Sequence, residues 1–138
     1  MAAPTLNQLR VGLEGRLATI TGLRAYEYIP DNPNPPCAVV QVGRISYDLS
    51  FQRGVDQYEF RILLICGRVA ERSAQAAMDA FLNPIGTSSI KTAVQGDATL
   101  GGLAVDTRLT EMRGLGTVTF NEVTYMTAEF IVDVFTTN

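Results

Sequence analysis

Between Gln57 and Leu82 the chain changes its hydrophobic period without a break. Tyr58, Phe60, Ile62 and Leu64 share one parity and Glu59 and Arg61 the other, until Leu63, Ile65 and Cys66 make both parities apolar. A strand written this way enters a sheet that becomes covered on both faces. Past Gly67, residues Ala70, Ala74, Ala77, Met78, Phe81 and Leu82 fall on one stripe of a helix. Asn83-Pro84 stops it, because the residue before a proline is pushed out of the helical region. This strand-to-helix passage is the expected centre of the fold.

Upstream, Thr5-Leu6-Asn7-Gln8 has capping-box form, and Leu6, Leu9, Leu13, Leu17 and Ile20 recur at helical spacing, which predicts an amphipathic helix ending at Gly22. Gly12 and Gly15 inside it mark either close approach of another backbone or a weak helix. Ala25 to Ile29 can form a short strand. The proline-rich run 30–36 cannot join a sheet interior, because proline removes ladder donors. Cys37 to Arg44 reads as the next strand, followed by a dozen residues that are not polar: Tyr47, Leu49 and Phe51 alternate with Asp48, Ser50 and Gln52. Folded in half, the stretch from Cys37 to Cys66 gives arms of roughly 40 Å at about 3.3 Å per residue, so its tip is expected to protrude and to seek cover on a neighbouring subunit. The other reading of the same row is a tip folded back over its own sheet. A hairpin centred between Phe51 and Gln52 would place Cys37 opposite Cys66.

Ser88-Ser89 ahead of Ile90 to Gln95 predicts a short capped helix stopped at Gly96. Gly101-Gly102 then opens an ending made of strands: Val105 to Met112, a kink or bulge at Gly114-Leu115-Gly116, Thr117 to Phe120, a tight turn at Asn121-Glu122, and Val123 to Phe135. In the last strand Met126, Ala128, Phe130, Val132 and Val134 form one apolar row. The opposite row, Tyr125, Thr127, Glu129, Ile131, Asp133 and Phe135, is mixed, which suits a face partly covered or meeting another subunit. The order is helix, three strands, two helices, then three strands. That is an α+β fold: an antiparallel (mixed) β-sheet with two to three helices packed on it and a long protruding β-hairpin. A chain of 138 residues makes this a single domain, residues 1–138.

Composition narrows the function. No apolar run approaches the roughly 18 to 20 residues of a membrane span, so no membrane is expected. Neither a basic residue before Arg10 nor an apolar h-region marks a secretory signal, and folding in the cytoplasm is expected. A net charge of −3 argues against a surface built to hold nucleic acid tightly. The basic residues are ten Arg and Lys91, a bias that suits interfaces and that GC-rich coding also produces.

With no histidine, a Cys/His metal site and the common catalytic triads are excluded, and Cys37 and Cys66 are expected as buried reduced thiols. Ser88-Ser89-Ile90-Lys91 matches S-x-x-K, but its companion motifs are missing and helix capping explains it. Gly114-Leu115-Gly116 lacks the third glycine and the helix of a dinucleotide loop. Glu129 and Asp133 lie roughly 13 Å apart on a strand, too far for paired acid and base work. No D-x-D-x-D-G cluster stands behind a carboxylate-only metal site. The expectation is a protein that is not an enzyme and has no catalytic, cofactor or metal residues.

Three segments carry a resemblance over most of the chain: Phe60-Arg61-Ile62-Leu63-Leu64 to Glu71-Arg72-Ser73-Ala74-Gln75, Ile85 to Lys91, and Gly116-Thr117-Val118-Thr119 to Tyr125-Met126-Thr127-Ala128-Glu129-Phe130. In order and spacing they resemble the tail terminator proteins of long-tailed bacteriophages, the lambda-like minor tail family. The resemblance implies an α/β subunit that assembles in the host cytoplasm as a homo-oligomeric ring, a hexamer. It would cap the tail tube protein, end tube polymerisation and offer a face to the head-neck connector, with DNA passing through unbound and the virion's head-tail junction as its location. The alternative is another neck or tail protein of the same virion, a connector, stopper or tube subunit. The family has no single residue motif for this activity. The expected contact residues come from the residues themselves: Tyr47, Leu49, Phe51 and Arg53 at the tip, and Tyr125, Ile131 and Phe135 on the last strand.

Overall fold

A computed structural model describes residues 4–20, 22–26, 36–47, 54–69, 72–120 and 122–137. Helix α1 (Leu6–Leu17) begins at the predicted capping box: the Thr5 hydroxyl accepts from the Gln8 N–H, and the Gln8 side chain accepts from the Thr5 N–H. Leu9, Leu13 and Leu17 are buried, as the spacing required. The helix ends earlier than expected, at Leu17, and Ile20 and Leu23 reach the core from the turn that comes after it. Gly12 is explained by close packing, since a Cβ there would stand 3.3 Å from Leu100 Cβ; the neighbour is a side chain and not a backbone. Around Gly15 the space is open.

The strands are β1 (Arg24–Tyr26), β2 (Cys37–Ser46), β3 (Val55–Arg68), β4 (Asp106–Phe120) and β5 (Val123–Thr137). They form one mixed sheet in the order β1-β2-β3-β5-β4, with β1 parallel to β2 and every other pairing antiparallel. The fold is α+β, with α1, α2 (Arg72–Leu82) and α3 (Ile90–Gln95) as its helices. The predicted strand-to-helix passage is its centre: β3 pairs with β2 on one side and β5 on the other. Phe60, Ile62 and Leu64 on β3, with Ala128, Phe130, Val132 and Val134 on β5, meet Met78 and Phe81 of α2 and the leucines of α1 in one core. Ser89 caps α3 by accepting from the Thr92 N–H, as its hydroxyl predicted.

Three expectations are corrected. The ending has two strands and not three, because β4 runs through Gly114-Leu115-Gly116 as a bulge; Gly114 supplies the positive φ of 66° that the bend requires. The short strand starts at Arg24 and is described as far as Tyr26, while residues 27–29 lie outside the described residues. Cys37 is not opposite Cys66. The predicted register holds near the tip, where Ser46 pairs with Gln57 and Arg44 with Glu59, but a bulge between Val42 and Arg44 shifts it by one, so Cys37 faces Ile65. Because side chains alternate faces, that single step puts the two thiols on opposite sides of the sheet. Cys66 joins the main core, and Cys37 joins a second cluster with Ile65 and Tyr125.

The hairpin arms are not free ribbons where they are described. β3 stays paired with β5 from Arg68↔Tyr125 to Val55↔Thr137. The tip itself, with Leu49, Phe51 and Arg53, lies outside the described residues, as does Ala70 of the predicted helix stripe.

Both cysteines are buried and free. Thiol titration of protein unfolded after mild oxidation should therefore find two free thiols; a disulfide within the chain would show that the bulge is misplaced. Phe60, fully buried on the central strand, should cost about 3 to 5 kcal/mol when replaced by alanine, read from urea unfolding. A loss below about 1 kcal/mol would mean that β3 is not the centre of the core.

Candidate interaction surface

Alternation along β3 and β5 sends one row of each strand into the helix-covered core and the other onto the opposite face. On that helix-free face, Glu129 sits between two guanidinium groups, with its Oε1 3.7 Å from Arg61 Nε and 3.6 Å from Arg113 Nε. Arg113 also reaches Glu111 at 3.7 Å. These partly exposed pairs are long, and such contacts contribute well under 1 kcal/mol each. They make the middle of the face polar and balanced in sign. Near the Arg68 end of β3 the same face turns apolar: Cys37, Ile65 and Tyr125 form a buried cluster, with Tyr26, Leu63, Val118 and Val123 packed against it.

Two of the predicted contact residues, Tyr125 and Ile131, are thus buried within the single chain, at 8% and 5% exposure. Phe135, on the same row, is half-buried. Tyr47 is 68% exposed, but it comes after β2, beyond the bulge, and does not join that row. The structure brings Tyr125, Ile131 and Phe135 onto one strand and leaves Tyr47 apart from them.

Residues that the sequence pattern did not single out lie on β4. Met112 and Leu115 are exposed at 37% and 55%, on a strand that among the described residues has a neighbour on one side only. The one signal is an apolar residue held between Gly114 and Gly116, which reads equally well as turn chemistry.

Nothing among the described residues assembles into a reaction centre. No group of three or more Cys, Asp or Glu could hold a metal there. A cavity of about 330 Å³ lies between the end of β3 and α2, lined by Cys66, Gly67, Arg68, Ala74, Ala77 and Phe81 among others. Its thiol is a poor nucleophile, because burial pushes Cys66 up to about 11 and its Sγ–H donates to the Ala74 carbonyl at 3.4 Å. Asp97 is held below the usual carboxylate range, first by the Thr99 hydroxyl and then by the Gly101 and Thr99 N–H groups. Those bonds organise the turn ahead of β4, where Leu100, Gly101 and Gly102 all have positive φ. At the far end of the core face, burial, then Asp56 and then Tyr47 raise Tyr58.

Comparison with protein-family models and with curated proteins gave no match. Among the described residues, no helix is long and apolar enough to cross a membrane.

The raised thiol sets a pH dependence. Between the ordinary thiol value of 9.0 and about 11, the folded chain keeps the Cys66 proton that the unfolded chain releases. Its contribution to stability is complete below pH 9 and lost as pH rises toward 11; Tyr58, also raised, acts in the same direction. Denaturant unfolding should show stability falling over this window, less steeply in Cys66→Ala. An identical slope in that variant would mean that Cys66 ionises as freely folded as unfolded.

Proposed function

We propose that the protein is a structural virion subunit that forms a ring on the end of a phage tail tube, stops tube polymerisation and presents a docking face to the neck of the head. The observation that carries this reading is the likeness of three segments to the tail terminator family, together with where those segments fall. Phe60 to Leu64 lies at the middle of β3 and leads to α2, Ile85 to Lys91 sets the start of α3, and Gly116 to Phe130 spans the β4–β5 hairpin. The likeness thus covers contiguous structural units and not scattered surface residues. The described surface supports an assembly role over a chemical one, since Tyr47, Val69, Val105, Met112 and Leu115 are exposed on or beside strands and none of them lines the cavity beside Cys66.

Electrostatics bear on the passage of DNA. Each subunit carries −3, so a ring of six would carry about −18, a field that repels a duplex and lets it slide without being held. Closing a ring would also cover strand edges that a lone subunit leaves open, which drives assembly without a ligand.

Particles assembled without this protein should carry tails of uncontrolled length or fail to join heads, as scored by electron microscopy. Tails of normal length joined to heads would refute the terminator role. Tight, salt-sensitive binding of free duplex by the purified protein would refute passage without holding.

A further inference from the structure

We propose that neighbouring copies of this chain join head to tail by strand addition, the open edge of β4 from one copy pairing with the open edge of β2 from the next. This contact rests on the ring proposed for the chain and is the one that would build it.

Among the described residues the sheet ends on β4, and its edge is open over part of its length only. At the start of the strand, the Leu109 N–H donates to Gln95 Oε1 of α3 at 3.1 Å, so that stretch is already capped. From Thr110 to Thr117, and again at Thr119, the strand is exposed. Phe120 pairs with Val123 at the hairpin end, so alternation turns the backbone groups of Thr119 and Thr117 away from β5. The Thr119 and Thr124 hydroxyls approach to 3.1 Å, as expected for a pair whose backbone groups point outward, where side chains stand closest.

At the other side of the sheet β1 is described as far as Tyr26↔Val39, and among the described residues no strand flanks Val40 to Ser46, where Gln41, Gly43 and Arg44 are exposed. Among the described residues the chain therefore carries two open edges, and their directions are complementary. β2 and β5 run one way, β3 and β4 the other, so two copies in the same orientation bring β4 beside β2 antiparallel, the better-bonded arrangement.

The levels of the two edges favour a closed ring over an open filament. Val40 is level with Ile62, Phe130 and Met112, and Ser46 with Gln57, Phe135 and Asp106. To meet β2 the partner's exposed stretch must slide by about six residues, roughly 20 Å at 3.3 Å per residue. Four strands spaced about 4.8 Å apart span about 19 Å, so the slide corresponds to strands inclined by about 45°. Closed barrels use that inclination. A bulge on each edge, at Gly43 and at Gly114-Leu115, keeps either from serving as an indefinite template.

Thr117→Pro with Thr119→Pro removes two outward donors and no bond to β5. Sedimentation velocity over a range of concentrations should show wild type assembling and the variant remaining monomeric, with circular dichroism unchanged. A folded variant that assembles like wild type overturns the edge contact and leaves the ring reading standing, whereas a wild type that stays monomeric at every concentration sinks both. Should the variant fail to fold, cysteine cross-linking with a short bis-maleimide decides the matter. A chain carrying Thr117→Cys mixed with one carrying Gln41→Cys should cross-link to each other and neither to itself. Cross-linking of Thr117→Cys alone would place β4 against β4 and overturn the head-to-tail contact.

Discussion

The two-residue period of β3, held in phase with a neighbour on each side, decides which side chains the rest of the molecule can use. A strand with two partners cannot slip by one residue without turning Phe60, Ile62 and Leu64 out of the core and Arg61 into it. The apolar row of β5 and the helices above it are placed by that phase. Register shifts elsewhere are then local devices, and each extra residue re-aims the side chains beyond it. The shift after Val42 parts Cys37 from Cys66, and the one after Arg113 carries β4 on to the hairpin end.

A sheet so phased, with all three helices against one face, has two kinds of surface left. The helix-free face is finished in part by the chain itself: its apolar end is a small buried cluster around Cys37, Ile65 and Tyr125, and its middle is a balanced set of charges around Glu129. The edges are not finished. Among the described residues, β1 covers only the first part of β2, and β4 has no strand beside it beyond the reach of Gln95. Unpaired backbone groups at a strand edge are a ready template for another strand, whereas partly exposed charge pairs such as those around Glu129 contribute little.

That distribution is consistent with the assembly role proposed for this chain. The buried thiol beside the cavity between β3 and α2 is held protonated, and the depressed carboxylate of Asp97 is occupied in its own turn. In the ring proposed for this chain, a negative overall charge would let DNA pass without being gripped.

Much of this is legible in the residues. The capping box at Thr5, the leucine stripe of α1, the β3-to-α2 passage, the Ser89 cap and the apolar row of β5 are all readable, because each is a local pattern whose period or side-chain chemistry fixes its own backbone. Pairing is not readable. Nothing in the sequence around Gly43 announces an extra residue in the ladder, and so the cysteine register comes out one step wrong; nothing near Arg24 says that the first strand runs parallel to its neighbour. Whether Tyr125 and Ile131 are open or already covered depends on which strands flank them. The sequence alone therefore determined the elements and their inward faces, through forces acting within a few residues. The tertiary structure decided partners, register and open edges, because those arise from backbone bonds between residues far apart in the chain, which no local period records.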